Sequence, residues 1–345
     1  MPLVTLVPSG QSFVAEPGEA VLTAALRAGL NLPHSCKGGH CASCRARILD
    51  GTIAYPRERP IGLTEDEARA GYALLCQARA LTDLRVETRE VRPAPDVEVK
   101  SLPCRIERLE RVADDVMAVF LRLPAVEEFT WRAGQYLDVM LADGRRRSFS
   151  IAGAPGDGRL VELHVRRASK SGFTGQLFDT MRSGTLLRIE GPLGQFWLRT
   201  ESPRPPLMVG GGTGYAPLRA MLRHLVAAGD RRPVTLYWGA RERQGLYEHD
   251  WLRSLEQARP GFSYRPVLSA GEGEWPGRRG LVHAAVLADY PDLSGFDVYA
   301  SGPPAMIEAI RSEFARHGLP REQLFFDSFD FAPDTLAALQ GGSRR

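Results

Sequence analysis

Residues 4–7 and 12–15 alternate apolar with polar positions on either side of Pro8-Ser9-Gly10, a turn signal, and predict a hairpin. After Pro17-Gly18, residues 21–28 carry apolar side chains at helical spacing and stop at Gly29. Strands follow at 48–53 and 84–88, with a short acidic helix at 64–69 between them. Pro93 and Pro95 lie in a stretch with little to bury, which reads as a linker. From Pro103 the pattern changes to six short alternating runs, 104–109, 116–123, 135–141, 148–151, 160–166 and 186–189, separated by Gly, Pro and Asp turns, with one helix at 173–181. Short strands so punctuated predict a small antiparallel barrel. Beyond Pro203-Arg204-Pro205-Pro206 the character changes again. Strands at 207–209, 234–238, 262–268, 298–301 and 324–326 alternate with helices at 216–227, near 247–256 and at 305–317, the signature of a parallel sheet covered on both faces. The chain therefore divides into 1–92, a linker over 93–102, a barrel over 103–201 and an α/β domain over 202–345.

Composition narrows the picture only slightly. The 345 residues carry 44 Lys and Arg against 41 Asp and Glu, a formal net charge of +3. Lys occurs only at Lys37, Lys100 and Lys170, and no basic block with interleaved aromatics appears, so nucleic-acid binding has no support. No apolar run approaches the length needed to span a bilayer.

Cysteine changes the picture most. Cys36, Cys41 and Cys44 follow C-x4-C-x2-C spacing and Cys76 answers from a distance, the arrangement of plant-type two-iron two-sulfur ligation. Three sulfurs must converge from one tight loop, and Gly38 and Gly39 give that loop backbone freedom. Structural zinc prefers two close ligand pairs, whereas Cys76 has no partner two to four residues away. A disulfide framework needs an oxidising compartment, and the N-terminus shows no secretory pattern. Four cysteines complete the ligand set, which leaves His34 and His40 outside it. Thiolate ligands point to the cytoplasm. Cys104, the fifth cysteine, reads as a small buried apolar residue.

Three further motifs suggest anion binding. Arg147, in Arg147-Ser148-Phe149-Ser150, lies on a barrel strand, where a guanidinium fork suits a buried pyrophosphate; a solvated basic turn is the plainer alternative. Gly172-Phe173-Thr174 opens the barrel's helix and offers free N–H groups and a hydroxyl, although Thr174 also suits an ordinary N-cap. Gly210 to Gly214 joins a strand to a helix, where dinucleotide-binding turns occur. Tyr215 takes the last glycine place of G-x-G-x-x-G, and no P-loop lysine is present. Ser301-Gly302-Pro303 ends another strand at the same sheet edge.

Taken in this order, these motifs resemble the ferredoxin-reductase-like electron-transfer proteins, in particular the three-domain subgroup of bacterial oxygenase reductase components and CDP-6-deoxy-glucoseen reductase. That resemblance implies an α+β and α/β multidomain chain: a plant-type ferredoxin β-grasp domain, an antiparallel six-stranded FAD-binding barrel and a parallel α/β NAD(P)-binding domain. By resemblance, Arg147, Phe149 and Ser150 match the R-x-Y-S flavin motif, Gly172, Phe173 and Thr174 the pyrophosphate-binding helix start, and His164 and Arg166 complete the flavin-side candidates. Gly211, Gly212, Thr213, Gly214 and Pro217 match the nicotinamide-dinucleotide turn, Arg241 the adenosine side, and Gly302 and Pro303 the nicotinamide side. Ser301 and Phe329 are the implied catalytic residues, shaping the contact between nicotinamide and flavin; a core-filling role suits Phe329 equally well. Phe149 replaces the family's usual Tyr, Ala42 stands where a Gly is common, and Ser301 where many members carry Cys.

The implied route runs from NADH or NADPH through FAD and the 2Fe-2S cluster to a partner protein, with flavin converting a hydride into single electrons. An oxygenase component is the leading acceptor and a deoxysugar dehydrase the alternative, docking near Lys37 to His40 on a monomer. A redox-sensing binding protein is the reading from another class.

Overall fold

The computed structural model describes residues 1–30, 32–34, 38–39, 44–60, 62–88, 97–156, 159–169, 172–270 and 274–329. It falls into two compact units, Met1–Val97 and Glu98–Arg345.

In the first unit, β1 (Leu3–Val7) and β2 (Ser12–Val14) form the predicted hairpin, followed by α1 (Val21–Arg27), β3 (Arg45–Asp50), β4 (Ile53–Ala54), α2 (Glu65–Arg69), β5 (Tyr72–Leu74), β6 (Arg79–Ala80) and β7 (Leu84–Glu87). The main sheet has the order β2-β1-β7-β3-β5, with β1 and β7 parallel, and β4 pairs with β6 separately. Val4, Leu6 and Val86 point to one side of this sheet and pack with Val21, Leu22, Ala24 and Ala25 of α1, so the period-two and helical patterns meet in one core. Thr64 and Glu67 form a reciprocal capping box at α2, with bonds of 3.2 and 3.1 Å. Such a cap contributes about 1 kcal/mol to a helix of only five residues.

The second unit opens with a barrel: β8 (Lys100–Ala113), β9 (Val116–Arg122), β10 (Tyr136–Met140), β11 (Arg146–Ser150), β12 (Leu160–Arg166), α3 (Gly172–Asp179) and β13 (Leu186–Leu193). All neighbours in the order β11-β10-β13-β8-β9-β12 are antiparallel. The two ends of that order meet through the Ile151–Leu163 bridge and the 2.8 Å bond from Ala152 N to Glu162 O, which closes the barrel. Cys104 sits in its core, where burial pushes the thiol up to about 12 and leaves it unreactive.

A parallel six-stranded sheet follows, with β14 (Pro206–Gly211), α4 (Tyr215–Ala227), β15 (Val234–Ala240), α5 (His249–Ala258), β16 (Phe262–Leu268), β17 (Arg278–Arg279), α6 (Val282–Asp289), β18 (Asp297–Gly302), α7 (Pro304–Arg316) and β19 (Leu324–Ser328). Its order is β17-β16-β15-β14-β18-β19. Met208, Leu236 and Trp238 face the core under α4 and α5, while Leu207, Val209 and Tyr237 face the core under α6 and α7. Consecutive strand residues thus enter opposite layers, as a sheet buried on both faces requires. Ala133, Phe196 and Leu198 of the barrel belong to the α4 core, which makes one apolar body of barrel and sheet. No helix among the described residues is long and apolar enough to cross a membrane.

Candidate redox site

Cys44 immediately precedes β3 and Cys76 closely follows β5, and the pairing of Arg45 with Leu74 brings both cysteines to the same end of the sheet. They are 3% and 8% exposed and belong to one apolar core; Leu75 N donates to Cys44 O at 3.1 Å. Burial, and then the nearby Cys44 and Cys76, push the Tyr55 phenol above its usual range. Gly39 has φ +83, and a Cβ there would come within 3.0 Å of Gln77 and Pro60, so only glycine fits this close approach. His34 is buried and donates Nδ1–H to Leu32 O at 2.8 Å. Two buried soft donors of the same type suit an iron-sulfur cluster. Cys36, Cys41, Lys37, His40 and Ala42 lie outside the described residues.

The flavin motif lies on β11, an edge of the barrel order, paired with β10 so that Phe149 faces Leu137 and Ser150 faces Tyr136. Phe149 and Phe173 are brought together, with ring centroids 5.7 Å apart. Gly172 has φ +78 at the start of α3, and Thr174 Oγ1 accepts from Ala168 N at 3.2 Å. Arg147 Nη1 donates to Arg146 O at 3.0 Å, whereas Arg146 pairs with Glu190. Ser150 is buried and its hydroxyl has no partner among the described residues. A buried hydroxyl without a partner among the described residues, next in sequence to a paired aromatic, fits a polar, partly aromatic cofactor.

At the sheet, β14 runs into a single 3-10 turn, Gly212–Gly214, and then α4. Gly212 has φ +56, and its carbonyl accepts from Trp238 Nε1 at 2.9 Å. β14 lies beside β18, with Gly210 opposite Ser301. A Cβ on Gly214 would overlap the carbonyl oxygen of Ser301, and one on Gly211 would lie 2.9 Å from Pro303 Cδ. The two turns therefore touch backbone to backbone at the carboxyl edge of the strands, where ligands bind in open α/β sheets. Pro217 is buried in the first turn of α4, and Arg241 is exposed just past β15. Ser301 is 0% exposed and its hydroxyl has no partner among the described residues, and Phe329 N donates to Gly302 O at 2.9 Å, which holds Phe329 at this edge.

His164 and Arg166 are placed differently from one another. Arg166 lies 3.0 Å from Asp115 and so close to Gly212 that a Cβ there would be 2.7 Å from its Nη1. His164 is buried between Glu162, at 3.1 Å, and the Tyr247 hydroxyl, at 2.9 Å. It belongs to a group with Arg219 and Glu248 that sequence reading missed; the carboxylates that Arg219 meets, Glu162 and Glu248, lie 57 and 29 positions from it, and the one sequence signal is an arginine on the apolar face of α4. Burial would raise the Glu162 carboxyl, but the hydrogen bond from His164 and the charge of Arg219 overcome it and hold it down at about 2.

Family models match all three regions: the 2Fe-2S iron-sulfur cluster binding domain over residues 4–81, the oxidoreductase FAD-binding domain over 103–197 and the oxidoreductase NAD-binding domain over 208–312. The CDP-6-deoxy-L-threo-D-glycero-4-hexulose-3-dehydrase reductase of Yersinia pseudotuberculosis is 37% identical over 326 residues, covering 94% of this chain and 98% of the relative. The chain belongs to the iron-sulfur flavoprotein reductases. Reductase component 2 of terephthalate 1,2-dioxygenase from Comamonas is 32% identical, covering 93% of this chain and 95% of that one. Among solved structures, the Amycolatopsis cytochrome P450 reductase GcoB superposes with a TM-score of 0.73 at 32% identity, covering 95% and 99% of the two chains. This reductase is accordingly an NAD(P)H oxidoreductase whose cofactors are a 2Fe-2S cluster, FAD and NAD(P).

Proposed function

We propose that this reductase passes electrons from NADH or NADPH to an oxygenase component, through FAD and then the cluster. The observation that carries the reading is the backbone contact of the 211–214 and 301–303 turns at one sheet edge, with Gly212 against Arg166 of the barrel. Bound FAD supplies the conversion of a two-electron hydride into single electrons. Arg147 and the N–H groups of Gly172, Phe173 and Thr174 hold its pyrophosphate, Phe149 offers an aromatic face, and Ser150 donates its hydroxyl. Gly211, Gly212, Thr213, Gly214 and Pro217 bring backbone and helix start to the dinucleotide, Arg241 serves its adenosine side, and Gly302 and Pro303 its nicotinamide side. Ser301 and Phe329 shape the contact between nicotinamide and flavin. Cys36, Cys41, Cys44 and Cys76 ligate the cluster, and the acceptor docks beside Lys37 to His40 on a cytoplasmic monomer.

Ser301 gives this reading a direct test. Its buried hydroxyl has no partner among the described residues, which costs stability, so Ser301→Ala is expected to raise the melting temperature of the protein without dinucleotide. The same change is expected to slow flavin reduction roughly tenfold, the worth of one lost hydrogen bond of about 1.4 kcal/mol. A gain in stability with no loss of rate would remove Ser301 from the site.

The 37% identity to the Yersinia protein favours a second acceptor, a deoxysugar dehydrase. Mixing the NADH-reduced chain with an oxygenase component and, separately, with a CDP-6-deoxyhexulose dehydrase distinguishes them. Rapid reoxidation by the oxygenase component alone supports the first acceptor, and reoxidation by the dehydrase alone supports the second. Turnover below about one per second with both would favour a redox sensor.

A further inference from the structure

Arg219 projects from α4 one turn beyond Tyr215 and is 7% exposed. Its Nη1 donates to Glu162 Oε2 at 2.8 Å and to the Ala152 carbonyl at 3.0 Å, while its Nε donates to the Glu248 carboxylate at 2.8 and 2.9 Å. Tyr215 donates its hydroxyl to Glu248 at 2.7 Å. On the barrel side, Glu162 also accepts from His164 Nε2, since an ionised carboxylate only accepts, and the Tyr247 hydroxyl lies 2.9 Å from His164 Nδ1. Glu162, His164 and Ala152 belong to the barrel; Arg219, Tyr215, Tyr247 and Glu248 belong to the sheet domain.

Both ends of this group sit on segments that meet cofactors. α4 begins at the 212–214 turn, Ala152 lies two residues beyond Ser150, and β12 also carries Arg166 against Gly212. The apolar contact of barrel and sheet is non-directional and would tolerate sliding by itself. A guanidinium fork shared among two carboxylates and a carbonyl tolerates much less, because each bond has a preferred direction. Buried ion groups add little net stability over apolar packing, so a group of this size is better explained by the one arrangement it selects.

We propose that Arg219 is a positioning residue for hydride transfer: by joining Glu162 and the Ala152 carbonyl to Glu248, it fixes the dinucleotide turn in place against the flavin strand. This rests on the electron route proposed above. Arg219 acts through the turn and the strand and touches neither reacting group. A lysine keeps the charge but cannot reach three acceptors with a planar fork.

The test uses the full chain loaded with flavin and cluster, with Arg219→Lys and, as a milder change that keeps side-chain size, Glu162→Gln. Anaerobic stopped-flow mixing with NADH is expected to show the limiting rate of flavin reduction falling by about 100-fold for Arg219→Lys, the effect of an ångström-scale misplacement. The NADH concentration giving half that rate is expected to stay near that of the parent, and the isotope effect from 4-deuterated NADH to grow. Amide hydrogen exchange, which needs no turnover, is expected to quicken in both 161–166 and 213–219. Quickened exchange on both sides with an unchanged limiting rate would overturn the positioning role, and quickening on one side only would overturn the tie itself. If neither NADH nor NADPH reduces the parent's flavin, the electron route fails, and the exchange result still decides whether Arg219 joins the two domains.

Discussion

Cys76→Ser is expected to abolish NAD(P)H-driven reduction of cytochrome c while ferricyanide reduction at the flavin persists. Cys76 is buried in the core of the first unit, at the same sheet end as Cys44. Serine is close in volume, so the packing around Leu74 and Leu75 has little to adjust. A serine hydroxyl is a poor substitute for the soft thiolate that iron-sulfur chemistry selects. Changes behind a metal ligand already cost about 10–100-fold in affinity or activity, and loss of a ligand is expected to exceed that. Cytochrome c and ferricyanide assays on one preparation, with iron and flavin content measured, check the split. Equal loss of both activities would mean that Cys76 supports folding and not electron relay.

Gly214→Ala is expected to act at the other end of the route and to lower both activities together. Gly214 has ordinary helical angles, φ −60 and ψ −12, so alanine meets no torsional penalty there. Space is what forbids it. The new Cβ would overlap the Ser301 carbonyl and lie 2.8 Å from Gly302 N, all backbone atoms that cannot swing aside. Overpacking of this kind costs about 1–3 kcal/mol. Relief requires the 211–214 and 301–303 turns to part, and a shift of an ångström is expected to slow flavin reduction by about 100-fold. Thermal unfolding and stopped-flow flavin reduction measure the two effects; a variant with parental rate would show that the contact of the turns is dispensable.

Much of this architecture was legible in the sequence because local chemistry carried it. Cysteine spacing, glycines between strand and helix, and proline-bounded alternating runs each encode a short-range requirement. The missed elements lacked such a signal. α6, Val282–Asp289, is apolar nearly all round and gives no amphipathic stripe, and β17 is a two-residue edge strand. β8 begins at Lys100, ahead of Pro103, although proline argues against a strand. It is tolerated because Lys100 to Cys104 pair with β13 alone, and β9 joins only from Arg105. Tyr215, which breaks the glycine fingerprint, is fully buried and stacks on Trp238 at 3.9 Å, so packing claims that position. The Arg219 group was invisible for a different reason. Its bonds join residues far apart in sequence, and no local pattern reports which acid an arginine will meet.

Anaerobic titration with NADH and with NADPH shows whether one chain turns a hydride into single electrons for a partner. Visible absorbance is followed for flavin and cluster separately. The predicted result is full reduction of the flavin together with bleaching of the cluster, the flavin taking two electrons and the cluster one. A flavin that is reduced while the cluster stays oxidised would show that electrons do not pass from flavin to cluster.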